Sequence, residues 1–304
     1  MTPNFYKVLF ASLLSSVTTM AFSQNTRIDT TKTKSDTTRT IKKSSFKIGV
    51  DFVNNNVFMG RTDTTITPLI TPNFKYTLKS GLYFSGSLDF VTNRKTKKLD
   101  GGNVAMGYDF DLTDDLSGGV SFTKLFFSKT STQVNSAISS TVNANLDYDI
   151  NDIITPSISV DYNINKQGVN NDITLNLGLS HDFIAEGVFG DKDIVLISPM
   201  VVANTGTQNF YDGYIQRKNL KNAKRAAAQT TLLNAYYASL SEFKVLDYEY
   251  SVPMEYKTGK IIFHFTPTYA IAENQFKSAA VVKALGLSAQ SSIFYFEIGV
   301  AFKF

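Results

Sequence analysis

Eleven carboxylates fall on the polar positions of alternating apolar–polar stretches: Asp51, Asp89, Asp109, Asp111, Asp147, Asp149, Asp161, Asp182, Asp247, Glu249 and Glu297. Lys47, Lys75 and Lys303 share those positions. If these faces line a water-filled passage, the excess of fixed negative charge favours cations. Asp51, Asp89, Asp109, Asp147, Asp161, Asp247, Glu249 and Glu297 are the candidate selectivity residues. The competing reading puts the acids in turns or pairs them with loop Lys and Arg. Close acids such as Asp109 and Asp111 can do acid–base chemistry, but nothing in their spacing separates that from lining a passage.

Two other groups of residues bear on chemistry. Arg94, Lys95, Lys97 and Lys98 form one basic cluster, and Arg217, Lys218, Lys221, Lys224 and Arg225 form another. Clustered cations at a membrane surface pair with phosphates, although a solvated loop has the same composition. The two histidines, His181 and His264, cannot build a multi-His metal site, and with no Cys there is no thiolate ligand, catalytic thiol or disulfide. No metal or cofactor is expected. Glycine-rich phosphate loops are absent, because Gly101-Gly102 and Gly118-Gly119 do not have the spacing.

The elements that must position these residues have a period of two. Val142, Ala144, Leu146, Tyr148 and Ile150 alternate with Asn143, Asn145, Asp147 and Asp149, and Ile173, Leu175, Leu177 and Leu179 alternate with Thr174, Asn176, Gly178 and Ser180. Such runs are strands with one apolar and one polar face. Many match the ~9–11 residues of a tilted membrane-spanning strand rather than the shorter globular norm. A bilayer offers the backbone no partner, so spanning strands must close into a barrel. The expected fold is all-β: an antiparallel transmembrane barrel of about twelve strands in up-and-down order. The strands are placed at 45–54, 68–78, 81–92, 102–113, 116–127, 137–150, 153–165, 172–184, 193–203, 242–255, 260–272 and 291–304. Short links alternate with long ones, the pattern of periplasmic turns opposite external loops. Ala185 to Lys192 is longer than that pattern expects. Pro72, Pro156, Pro199, Pro253 and Pro267 fall in or near strands, where each removes a ladder hydrogen bond; Pro267 has no evident accommodation.

Residues 1–23 have the form of a secretory signal, with Lys7, an apolar run from Val8 to Leu14, and Ala21-Phe22-Ser23 before a cut. Residues 24–44 are a Thr- and Lys-rich flexible leader, and 45–304 are the barrel. The formal net charge of +4 is concentrated at the N-terminus, since 23 basic residues face 24 acidic ones from Ser45 onward. Nucleic acid is therefore not an expected partner. The segment from Leu220 to Tyr237 has helical composition and is read as a surface helix, an inward-folded plug or further strand.

Phe294, Phe296, Ile298, Val300, Phe302 and Phe304 alternate up to the terminal Phe. This strand resembles the closing strand of Gram-negative outer-membrane barrels. The resemblance implies a bacterial outer-membrane location and recognition of the strand ending at Phe304 by the barrel-assembly machinery. It is silent on activity. Outer-membrane phospholipases use a lipid-facing Ser and His. His181 has that parity, but Ser180 points to the opposite face and the Ser-Asn-Gly cluster of those enzymes is missing.

The sequence thus points to a monomeric outer-membrane barrel acting as a narrow pore or transport channel with an acidic lumen, not an enzyme, with membrane lipid and lipopolysaccharide as partners. A closed, non-conducting barrel that binds envelope lipid or an external ligand through its loops is the alternative, and an outer-membrane hydrolase ranks third. A soluble β-sandwich would need the apolar face buried against a second sheet.

Overall fold

The computed structural model describes residues 43–166, 169–219, 238–273 and 291–304. The signal and nearly all of the leader lie outside the described residues. The wall is one antiparallel sheet of twelve strands in chain order. They are β1 (Ser45–Val53), β2 (Leu69–Thr77), β3 (Leu82–Val91), β4 (Leu99–Asp111), β5 (Leu116–Phe127), β6 (Ile138–Tyr148) and β7 (Thr155–Asn165). Three strands in two pieces follow: β8 (Asp172–Ser180, then Phe183–Glu186), β9 (Ile194–Ile197, then Met200–Gly206) and β10 (Lys244–Ser251, then Met254–Thr258). Last come β11 (Ile261–Ala272) and β12 (Ser292–Lys303). The strand β1 pairs with β2 on one side and with β12 on the other, so the sheet closes within one chain. Closure removes the edge that would otherwise recruit another strand.

Period-two patterning explains the two surfaces. In β1, Phe46, Ile48 and Val50 stand exposed outside, while Lys47, Gly49 and Asp51 turn inward. The same parity runs round the wall, with Phe74, Phe84, Val142 and Ile298 exposed outside. A contiguous exposed apolar surface of this extent is untenable in water and matches lipid. Near the periplasmic rim, the Phe46 ring meets those of Tyr76 at 6.5 Å and Phe304 at 6.1 Å, as in the aromatic girdles of membrane barrels.

The strands expected from the sequence are all present. The largest differences in their ends are three residues: β4 begins at Leu99, β9 runs on to Gly206 and β10 to Thr258. The long link after β8 is shorter than expected, because Phe183–Glu186 pairs with Ile194–Ile197 and leaves only a turn.

Three of the five prolines, Pro199, Pro253 and Pro267, gather into one seam, whereas Pro72 and Pro156 pair in register with Val50 and Leu179. The ladders skip His181-Asp182 of β8, Ser198-Pro199 of β9, Val252-Pro253 of β10 and Thr266-Pro267 opposite them on β11. These positions lie beside one another across the four strands. The His181 amide donates to the Pro199 carbonyl, Ser198 to Pro253 and Val252 to Pro267. Pro267 thus faces a neighbour whose ladder is already interrupted, and on its other side it pairs in register with Phe296. At these three prolines the missing N–H falls where the ladder is already interrupted, so a closed barrel needs no edge to hold them.

Candidate functional site: a stoppered lumen

The eight acids singled out from the sequence all turn to the inside of the wall, and they divide by depth of burial. Asp51, Asp109 and Asp147 are partly exposed, whereas Asp89, Asp161, Asp247, Glu249 and Glu297 are buried. Asp109 pairs with Lys75 at 3.4 Å, and the Lys75 ammonium lies over the Tyr83 ring. Asp161 accepts from Asn143 at 2.7 Å, Asn176 at 2.9 Å and Thr174 at 3.1 Å. Asp247 accepts from Asn204 at 2.8 Å, and the Tyr295 hydroxyl donates to Glu249 at 3.2 Å. Glu255, which shares a rung with His264, also belongs to the inner set and was missed by parity alone. At the periplasmic end Lys75, Lys47 and Lys303 occupy one rung across β2, β1 and β12, so the inner wall carries cations at its periplasmic rim and acids above.

The outer mouth is filled by the chain's own loops. The link between β1 and β2 dips inward as a short hairpin, Val57–Phe58 against Arg61–Thr62. Val57 packs on Ala270, Ile293 and Tyr295 of the wall. Gly60 at the hairpin tip has φ +67°, and a Cβ there would come within 2.8 Å of the Asp247 Cβ; only glycine suits both the backbone and the close approach. A second link, between β5 and β6, brings Gln133 to donate to Asp89 at 3.3 Å and Asp100 at 3.1 Å. From the third link comes α1 (Asn209–Asn219). Its start is fixed by Asp172 of β8, whose carboxylate accepts the amides of Asn209 at 2.5 Å and Phe210 at 2.7 Å. An acceptor at that position satisfies amides the helix cannot, and negative charge suits its N-terminal dipole.

The three links share one dry core. Phe58, Met59, Val134, Ala137, Ile138, Phe210, Tyr211, Tyr214, Ile215, Leu240 and Leu246 are all buried together. Phe210 and Ile215 have no exposed surface, and Phe58 meets Phe210 edge-on at 5.0 Å. Arg61 stitches hairpin to helix, donating to Gln208 at 2.6 Å and lying 4.3 Å over the Tyr211 ring. On α1, burial pushes the Asp212 carboxyl above its ordinary range, and a hydrogen bond from Gln216 partly offsets this.

The closed ladder, the apolar exterior and the polar interior settle the class. This is a bacterial outer-membrane β-barrel protein. No helix among the described residues is long and apolar enough to cross a membrane; the strands do so. No protein-family model and no curated protein matches the barrel's sequence. Among solved structures the barrel is similar to the KdgM porin at 9% identity, covering 86% of this chain and 99% of that one, with TM-score 0.47. It is similar to the NanC porin at 13% identity, covering 85% and 100%, with TM-score 0.43. It is also similar to LpxR from Salmonella typhimurium at 10% identity, covering 84% and 99%, with TM-score 0.42.

The barrel disposes of the remaining candidates in different ways. Arg94 folds back, donating to Asp100 at 2.6 Å and to Thr132 at 3.1 Å, so it ties loops together. Lys95, Lys97 and Lys98 beside it are exposed. The backbone of Arg217 and Lys218 lies in α1, while Lys221, Lys224 and Arg225, with the Leu220–Tyr237 segment, lie outside the described residues. His181 sits at the proline seam with its ring edge-on to Phe183 at 4.2 Å, and the Ser180 hydroxyl donates to the Thr155 carbonyl instead. His264 turns inward between Asp51 and Glu297. Asp193 closes the turn after β8. Burial raises its carboxyl, but the amides of Phe189, Val188 and Gly190 and the Tyr256 hydroxyl outweigh that and hold it below its ordinary value.

Proposed function

We propose that the protein is a stoppered channel of the outer membrane. Its polar lumen takes up cations from the periplasmic side, and ions pass only when the loop plug gives way. The observation that carries this reading is the dry core at the mouth, with Phe210 and Ile215 fully buried above a wall lined with Asp, Glu, Asn and Thr. Fixed charges in the lumen tune which ion enters, and of the eight candidate acids Asp51, Asp109 and Asp147 are the ones open to solvent. The export signal at residues 1–23, the leader at 24–44, assembly through the strand ending at Phe304, and contact of Lys95, Lys97 and Lys98 with lipopolysaccharide phosphates belong to the same reading. Closure of β1 on β12 within one chain supports a monomer.

The burial of the plug also favours a second reading, a barrel that never conducts and presents its loops to an external ligand. One experiment separates the two. The refolded chain is compared in planar bilayers with a variant in which residues 209–240 are replaced by a short Gly-Ser link. The channel reading expects rare openings from the intact chain and sustained, cation-preferring steps from the variant. Silence from a variant shown to be folded by its heat-modifiable mobility supports the closed barrel instead.

A further inference from the structure

We propose that Asp51, His264 and Glu297 form a binding site for a divalent cation of the zinc class, set in the inner wall where β1, β12 and β11 meet. The sequence excludes a multi-His site, but not a mixed one, and the closing register builds it. Asp51 and His264 both lie opposite Gly299, one on each side of β12. A Cβ at Gly299 would collide with Asp51 Oδ1 and with the His264 ring. The glycine therefore leaves the gap in which the two side chains converge, and Glu297 enters it from the same face two residues earlier.

The donor set and spacing fit a metal. His264 Nε2 lies 3.1 Å from Asp51 Oδ1 and 3.3 Å from Glu297 Oε1, and one ligand atom from each residue lies within 4.8 Å of the others. A tetrahedral zinc with bonds of about 2.0–2.1 Å holds its ligand atoms about 3.3 Å apart. One imidazole and two carboxylates suit zinc, with lumen water as the fourth ligand. The polar atoms also lack other employment. Among the described residues, His264 Nε2 has no partner apart from the two acids of the site, and Glu297 Oε2 has no hydrogen-bond partner although Glu297 is only 4% exposed. Asn73 donates to Asp51 Oδ2 at 2.6 Å, which directs Oδ1 to the centre as an outer-shell bond does in metal sites. The charged neighbours are Lys47 of β1, four residues below Asp51 on the same face, and Glu255 of β10, across from His264 and already paired with Lys257 at 3.2 Å.

The test is titration of the full refolded chain, stripped by chelator, with Zn²⁺ in a calorimeter, with Mg²⁺ and Ca²⁺ as controls. The expected result is one equivalent of Zn²⁺, weakened at least tenfold in His264→Gln, Glu297→Gln and Gly299→Ala. Each variant is first checked for heat-modifiable mobility. Co²⁺ bound to the unaltered chain gives a second reading that needs no variant: strong visible bands of a four-coordinate ion are expected. No stoichiometric uptake by the folded chain, weak six-coordinate bands, or unchanged binding in folded His264→Gln and Glu297→Gln would overturn the site and leave an ion pair of His264 with two acids. None of these readouts depends on conductance, so the channel reading stands or falls separately.

Discussion

The outer mouth and the lower lumen share the same strands yet fill the space between them in opposite ways. At the mouth, three links converge on apolar contacts, and the polar groups there are spent on tying loop to wall, as Asp172 does for α1 and Asp100 for Arg94. Below, Asp109, Asp147 and Asp51 keep solvent access beside Asn and Ser side chains. A barrel wall sets its lipid face by alternation alone, but its inner face carries no such demand. Packing by loops makes it a wall of a core, and leaving it wet makes it a conduit. The difference between the two regions therefore lies in the loops rather than in the strands.

The contrast can be broken most severely at Phe210. Phe210→Asp puts a charge where there is no exposed surface, and an unpaired buried charge is among the costliest changes a core can suffer. Open time in planar bilayers is expected to rise at least tenfold with the wall intact; unchanged gating would mean that the plug's core does not hold it shut. A milder break is Asp172→Ala, which removes the cap of α1 and costs about 1–2 kcal/mol. Hydrogen exchange at the Asn209 and Phe210 amides should accelerate by roughly tenfold, the factor that 1.4 kcal/mol represents, while exchange in β2 and β3 stays as it was.

Two smaller effects sharpen the contrast. Asp109→Asn with Asp147→Asn, placed in the barrel lacking residues 209–240, should move the reversal potential in a salt gradient toward zero without closing the channel. An unchanged potential would place selectivity elsewhere. The smallest effect is on pH. The Asp212 carboxyl is raised in the folded plug above its ordinary 3.8. The folded plug therefore binds a proton more tightly than the released one, so its stability falls as pH rises from that value through the raised one. Opening should be rarer at the acid end of that window, and Asp212→Asn should flatten the trend.

Much of the wall was readable in advance because lipid and water impose opposite demands on successive residues. Val142, Asn143, Ala144 and Asn145 announce their faces without knowledge of any neighbour. The plug was far less readable. Val57 packs on Tyr295 and Gln133 bonds to Asp89 across long stretches of chain, and no local pattern encodes such meetings. One signal was available: Phe210, Tyr211, Tyr214 and Ile215 have the spacing of a helix with one buried face, whereas helical composition points only to Leu220–Tyr237, and there with a plug or further strand as alternatives. His264 had the correct parity, but its meeting with Asp51 depends on which strand closes the barrel. The Pro267 objection failed for a related reason, since the seam that accommodates it is a property of four strands together.

The central claim is that the plug separates the outside from the lumen, and a single introduced thiol tests it directly because the chain has no cysteine of its own. Ala105 turns inward on β4 and keeps partial solvent access. Ala105→Cys is treated on intact cells with a membrane-impermeant maleimide. The account predicts no labelling from outside for the otherwise unaltered barrel, labelling once the periplasmic side is opened, and labelling from outside when residues 209–240 are replaced. Rapid labelling from outside with the plug in place would contradict it.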